Sequence, residues 1–223
     1  MPGFWCSAQH FGNILAIFKP VVGDFYEHFS NQGFFDSLVG QLREKRIIHQ
    51  MMTIVVRDHS LEIHPIAQDD LDAVLEVYKQ CEDFLALGPV STASMEMVLK
   101  DIELSQAEKG LFCGIYAADG KLIGIVDYVP GGYRGEPHTA FLELLMIAAS
   151  YRKQGIGKAV VEAVESEIWK DGKVSTILLG VQVNNPQAAE FWQRNGYRIV
   201  SEPKLQPDQT IAVDLRKDFN QGV

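Results

Sequence analysis

Two apolar runs, Leu111 to Ala118 and Lys121 to Val129, stand on either side of Asp119-Gly120. Asp-Gly between strand-forming runs supplies the left-handed turn that joins antiparallel strands, so a β-hairpin is expected here. The remaining chain is read around that hairpin. Leu61-Glu62-Ile63-His64-Pro65-Ile66 alternates like a strand, and Asp69-Asp70 cap a helix with Leu71, Val74, Leu75 and Tyr78 on one face. A second helix follows Ser91-Thr92, with Met95, Val98, Leu99 and Ile102 aligned. After the glycine-rich loop Pro130 to Pro137 come a strand Thr139 to Ala148, a helix over 155–170 and a strand Thr176 to Val183. A helix Pro186 to Arg194 and strands Tyr197 to Val200 and Thr210 to Leu215 close the chain. The order β-α-α-β-β-β-α-β-α-β-β predicts a mixed α/β sheet.

A chain of 223 residues, 47% apolar and 22% charged, is long enough for a sizeable core and too ordinary in composition for a disordered or fibrous class. The net charge of −9 argues against nucleic acid as partner, because phosphate binding needs clustered Lys and Arg. No apolar stretch reaches the roughly 18 residues of a membrane helix, and Met1 to Asn13 lacks the basic residues that open a signal peptide. Cys6, Cys81 and Cys113 are three and far apart, which excludes a disulfide framework and favours a reducing, cytoplasmic setting. The histidines show no metal-ligand spacing, so no metal is expected.

Charge and aromatic content divide the chain near residue 52. Residues 1–52 balance four basic against four acidic groups and hold seven of the twelve phenylalanines. Phe4, Phe11, Phe18 and Phe25 recur every seven residues, but Gly12, Pro20 and Gly23 rule out one continuous helix. The segment reads as an N-terminal helical and aromatic extension without a catalytic motif, with Phe34 to Gln50 as its better helix. Residues 53–223 form the main domain.

Chemistry concentrates between Leu144 and Lys158. An apolar strand runs into Arg152-Lys153-Gln154-Gly155-Ile156-Gly157-Lys158, a basic, glycine-containing turn that opens a helix. Glycines let main-chain amides approach a ligand, and a helix N-terminus offers unpaired donors at its positive end, as a pyrophosphate requires. The pattern is neither a Walker loop, since Ala159 replaces the Ser/Thr, nor a dinucleotide fingerprint, since Val160 stands where the third glycine belongs.

Arg152-Lys153-Gln154-Gly155-Ile156-Gly157 resembles the R/Q-x-x-G-x-G/A signature of GCN5-related N-acetyltransferases. Asn185-Pro186-Gln187-Ala188-Ala189-Glu190-Phe191-Trp192-Gln193-Arg194-Asn195-Gly196-Tyr197 is similar to the same family's N-x-x-A-x-x-F-Y-x-K-x-G-F segment. The resemblance covers roughly 60–217. It implies a mostly antiparallel central sheet with flanking helices, the acyl-CoA N-acyltransferase fold. It also implies that Thr139–Ala148 and Thr176–Val183 splay apart, so that the pantetheine arm of acetyl-CoA, the cosubstrate, lies between them. By the same resemblance the main chain of Leu145-Met146-Ile147 holds pantetheine, and the Ile147 amide polarises the thioester carbonyl. Arg152, Lys153, Gln154, Gly155, Ile156, Gly157 and Lys158 surround the pyrophosphate, while Asn185, Ala188 and Trp192 line the cofactor from the following helix.

The implied reaction needs a base for the attacking amine. Glu143 is the candidate: the one ionisable residue of an apolar strand, four before Ile147 and by alternation on the face of Leu145 and Ile147. An outward-facing strand carboxylate is an equal alternative. The family's acid is a tyrosine where this chain has Trp192, so Tyr197 becomes the candidate, with Tyr151 and Tyr133 behind it. Tyr133 and Glu136, in a loop able to act as a lid, are candidate acceptor contacts. Eleven acids against Lys79 and Lys100 between Asp58 and Glu103 suit a cationic acceptor, a small amine or a peptide. The expected function is direct N-acetylation of a primary amine. The alternative is a degenerate fold that binds acyl-CoA or serves as an assembly module, and a homodimer suits either.

Overall fold

The computed structural model describes residues 51–56, 59–170 and 172–219. The sequence expectations for the phenylalanine repeat and for Phe34 to Gln50 fall outside them. The described chain runs β1 (Met52–Val56), β2 (His59–Pro65), α1 (Leu71–Lys79), α2 (Glu82–Leu85), α3 (Met95–Ala107), β3 (Leu111–Ala117), β4 (Leu122–Val129) and β5 (Thr139–Ile147). It continues through α4 (Ile156–Trp169), β6 (Thr176–Gln182), α5 (Pro186–Arg194), β7 (Arg198–Ile199), β8 (Lys204–Leu205) and β9 (Ile211–Asp218). Strand β1, helix α2 and strand β8 are absent from the sequence-based order. The last two are too short, at four and two residues, to show a period.

The strands form one sheet in the order β1-β2-β3-β4-β5-β6-β9-β7, with β8 on β9. Every pairing is antiparallel except β5 with β6, which is parallel. A parallel pair needs a crossover, and α4 supplies it. The Asp119-Gly120 hairpin joins β3 to β4, with Gly120 at φ +80°.

The two faces of the sheet carry separate cores. Against one face α4 buries Ile156, Val160, Val161, Val164 and Ile168, a helical spacing, together with Trp192 from α5. Against the other, α1 buries Leu71, Val74, Val77 and Tyr78, and α3 buries Met97, Val98, Leu99 and Ile102. Each fully buried aliphatic side chain contributes about 1.5–3 kcal/mol. The five from α4 therefore hold its N-terminus firmly beside the end of β5. Helix α3 starts at Ser94, whose hydroxyl accepts from the Met97 amide at 3.2 Å, rather than at Ser91-Thr92. Asp70 reaches back to the Ala67 amide at 2.7 Å, where it ends a short 3-10 turn before α1.

Candidate active site

Strands β5 and β6 pair only from Thr139 with Thr176 to Leu142 with Leu179. Beyond that point both continue, β5 to Ile147 and β6 to Gln182, without pairing to each other. A cleft opens between them, enclosing about 650 Å³ of empty space with its open mouth included. Leu142 to Leu145 and Leu179 to Gln182 form its walls, and Phe84 and the α5 residues Asn185, Ala188, Phe191 and Trp192 contribute the rest. The Ala148 amide donates to the Ile123 carbonyl at 2.9 Å, toward β4. Main-chain direction alternates along a strand, so Ile147 and Leu145 turn theirs to the splayed side. An extended molecule lying in the cleft meets this strand edge, where the Ile147 carbonyl already accepts from Arg152 Nε at 2.8 Å.

Helix α4 begins where β5 ends. Gly155 occupies its cap position at φ +88°, a conformation that glycine adopts without strain, and gives the helix no side-chain cap. The first bond back to the cap is from Ala159, which leaves the amides of Ile156, Gly157 and Lys158 pointing outward. Gly157 faces Phe191 of α5, and a Cβ added there would lie 3.5 Å from its ring. Lys153, at φ +61°, and Lys158 are exposed beside this turn, with Lys158 3.3 Å from Glu162. Splayed edge and uncapped amides together fit a ligand with an extended arm and an anionic end, which acetyl-CoA is.

Glu143 sits at a β-bulge. Asp127 of β4 pairs with Leu144 and Tyr128 with Leu142, so Glu143 has no partner across the strand. That extra residue interrupts the simple alternation by which Glu143 would share the face of Leu145 and Ile147. Leu142 and Leu145 both pack toward α4 and α5, while Leu144 and Met146 pack toward α1 and α3. The charges acting on Glu143, Asp127 foremost, then Glu108, Arg134 and Asp101, surround it from β4, α3 and the loop before β5. Glu143 lines the cleft, and its Oε1 is buried without a hydrogen-bond partner among the described residues. Burial, reinforced by the neighbouring acids, raises its carboxyl well above the usual carboxylate range.

Arg152 does not stand free beside the pyrophosphate position. Its Nε donates to the Ile147 carbonyl at 2.8 Å, and one terminal nitrogen donates to the Gln80 carbonyl at 3.3 Å and to Asp83 at 3.0 Å. The other terminal nitrogen pairs with the second Asp83 oxygen. The hydrogen bonds from Arg152 hold the Asp83 carboxyl below the usual range. On the far wall Asn184 donates to the Leu87 carbonyl at 3.0 Å. The segment from Gln80 to Leu87 is thus tied to both splayed strands and lays Phe84 into the cleft between the ties.

Other expectations are also relocated. Tyr197 is 3% exposed, packed edge-on against Trp192 with the Lys217 ammonium over its ring, and it does not line the cleft. Its hydroxyl is raised far above the phenol range by burial and by Glu165, which removes it as an acid for the cleft. Met146 is 2% exposed in the α1 and α3 core, and its main chain pairs with Ile125 of β4, so it offers the cleft nothing. Tyr133 is not on a loose lid: it is buried and stacked on Phe141 at 4.3 Å. Glu136 is exposed. Gln154 spends its amide on the Ser150 carbonyl at 3.1 Å. Asn185 caps α5 by accepting from the Ala188 amide at 3.0 Å, with Pro186 at the first helical position. Sequence reading missed Phe84 and Gln182. The one hint was a glutamine ending the apolar strand β6, where its Oε1 is buried without a partner.

A sheet opened between two neighbouring strands, with a glycine-started helix at the open end, defines an acyltransferase-like cleft. The family model described as "Acetyltransferase (GNAT) family" matches residues 71–197, and the chain belongs to that family. It is 34% identical over 64 residues to N-alpha-acetyltransferase 50 of Danio rerio, a match spanning 29% of this chain and 38% of that protein. The first curated relatives are matched over 33% to 60% of their length. The fold is shared with the PaiA N-acetyltransferase of Thermoplasma acidophilum in complex with coenzyme A, at TM-score 0.54 and 23% identity, over 71% of this chain and 99% of that one. It is shared too with the Salmonella typhimurium acetyltransferase that modifies the N-terminal serine of ribosomal protein L7/L12, at TM-score 0.60 and 15% identity, over 76% and 100%. Among the described residues no helix is long and apolar enough to cross a membrane.

Proposed function

We propose that this protein transfers an acetyl group from acetyl-CoA to a primary amine, and that residues 53–223 suffice for it. The observation that carries the reading is the unpaired edge of β5 beyond Leu142, ending at the uncapped amides of α4. Leu145 and Ile147 would hold the extended arm through their main chains. The amides from Gln154 to Lys158 would hold the pyrophosphate, and Asn185, Ala188 and Trp192 would form the opposite wall. When bound, acetyl-CoA supplies an electrophilic thioester carbonyl and a thiol leaving group.

The Glu143 carboxylate takes one proton from the acceptor's ammonium and leaves a neutral amine. As the N–C bond forms and the C–S bond breaks, the second amine proton passes to sulfur, giving the thiol, and Glu143 returns its proton to solvent. The Ile147 amide, on the splayed edge, is the donor available to the carbonyl oxygen. A base with a raised pKa suits this work, because it lies closer to that of the amine it must deprotonate. The acids around Glu143 favour a cationic acceptor, a peptide N-terminus or a small amine, and the N-terminal serine that the Salmonella neighbour modifies agrees with the first. The second reading, a binding module without turnover, draws on Trp192: among the described residues no tyrosine lines the cleft.

Calorimetric titration with acetyl-CoA, followed by an amine and peptide panel with thiol-release detection, tests the proposal. Micromolar, stoichiometric binding with turnover of any amine supports it, and binding without turnover selects the module. Absence of binding in both the full chain and a chain lacking residues 1–52 would overturn it.

A further inference from the structure

Asp127 faces the bulge from the neighbouring strand. It is 4% exposed and stands in register with Leu144, one residue from Glu143. The Ser105 hydroxyl of α3 donates to its Oδ1 at 2.7 Å, the kind of donor that steadies a charged carboxylate. The turn after α3 closes tightly over this pair. The Gly110 amide donates to the Ser105 carbonyl at 2.6 Å, and a Cβ on Gly110 would lie 2.7 Å from Ser105 Oγ and 3.3 Å from Asp127 Oδ1. Packing of this kind fixes a carboxylate in place. Among the charges acting on Glu143 it is Asp127 that acts most strongly.

Building on the reading of Glu143 as base, we infer that Asp127 is a positioning residue: a second buried carboxylate, fixed by Ser105 opposite the bulge, that sets the charge state in which Glu143 meets the acceptor. Buried carboxylates on neighbouring strands resist carrying charge together. Asp127 has the Ser105 hydroxyl as a donor, whereas Glu143 Oε1 has none among the described residues, and burial together with the Asp127 charge raises the Glu143 carboxyl. A cationic acceptor entering the cleft relieves the repulsion, so that Glu143 sheds its proton to solvent and meets the ammonium as a carboxylate. The other groups facing Glu143 act in both directions. Asp101 of α3 and Glu108, just past its end, add to Asp127, while Arg134 opposes it. The Tyr133 hydroxyl, raised by burial and by Glu143, stays neutral. Asp101, raised to about 7 chiefly by burial, is itself pushed up by Asp127 and bonded by the Tyr78 hydroxyl at 2.7 Å.

The test is the pH dependence of kcat for Asp127→Asn beside wild type and Glu143→Gln. Removing the Asp127 charge should move the acid limb of kcat about one pH unit toward acid and lower its plateau about tenfold, with the KM for acetyl-CoA unchanged. A merely structural residue would lower rate or melting temperature and leave the limb in place. Should Asp127→Asn fold poorly, Asp127→Ser removes the same charge and keeps a partner for Ser105, with the same limb as readout. An unmoved limb in the folded variant, with Glu143→Gln strongly impaired, overturns the role of Asp127 alone. Wild-type rates in Glu143→Gln overturn the base itself, and the inference falls with it.

Discussion

On one side of β5, Leu142 and Leu145 look onto α4 and α5, and the groups offered to a ligand there are main-chain amides, glycines and an asparagine committed to its helix. On the other, Leu144 and Met146 look onto α1 and α3, and the groups nearby are carboxylates: Asp101, Asp127 and Glu143. The sheet is continuous between them, and a single bulge at Glu143 marks the change. The comparison teaches that a ligand common to many proteins can be held by backbone geometry. Under the proposed function, chemistry on a particular amine is left to buried charge, which one residue of register can redirect.

The comparison breaks most readily at Glu143. Glu143→Gln should lower plateau kcat about 10²–10³-fold at neutral pH, measured by thiol release, with acetyl-CoA affinity retained. Because the Glu143 pKa is raised, the wild-type rate falls with decreasing pH at a higher pH than an ordinary carboxylate would dictate. The gap to the variant should then close below that limb, where wild type too carries a neutral side chain.

The backbone side is tested at Gly155. Valine at φ +88° costs about 1–2 kcal/mol or more and displaces the first amides of α4, so Gly155→Val should weaken acetyl-CoA binding at least about tenfold in calorimetry. Unchanged affinity would remove the helix N-terminus from the site.

A smaller effect is expected where the two sides are strapped together. Asp83 has a lowered pKa, so its pairing with Arg152 stabilises the fold above the ordinary carboxylate range, near pH 4. That contribution is lost as pH falls through the lowered folded value. With the Asp83 side chain 64% exposed, the pair is worth under about 1 kcal/mol. Asp83→Asn should lower stability to denaturant by that little at pH 7 and by progressively less as pH falls through the lowered folded value. Arg152→Ala should cost more across that range, because Ile147 and Gln80 lose their donors as well.

Much of this molecule could be read along the chain. The Asp119-Gly120 hairpin, the apolar spacing of α1 and α4, the Asn185-Pro186 start of α5 and the glycine turn at Gly155 are local matters of turn chemistry and period. The motifs around Gly155 and Asn185 placed the cleft between the right two strands. Side-chain roles were legible only in part. Arg152 reads as a phosphate ligand from its neighbours in sequence, yet its donors go to Asp83 and Gln80, about 70 residues away. Tyr197 reads as a substitute acid from its motif, yet the packing of α5 against β9 buries it beside Lys217.

What the sequence determined by itself is the set of elements and the conformations that individual residues need, because those depend on neighbours a few positions away. What only the tertiary structure decided is where the strands part, which face Glu143 takes and which charges surround it. A bulge is a property of two strands in register, and a pKa is a property of everything packed around a carboxylate. Neither can be written in one segment of chain.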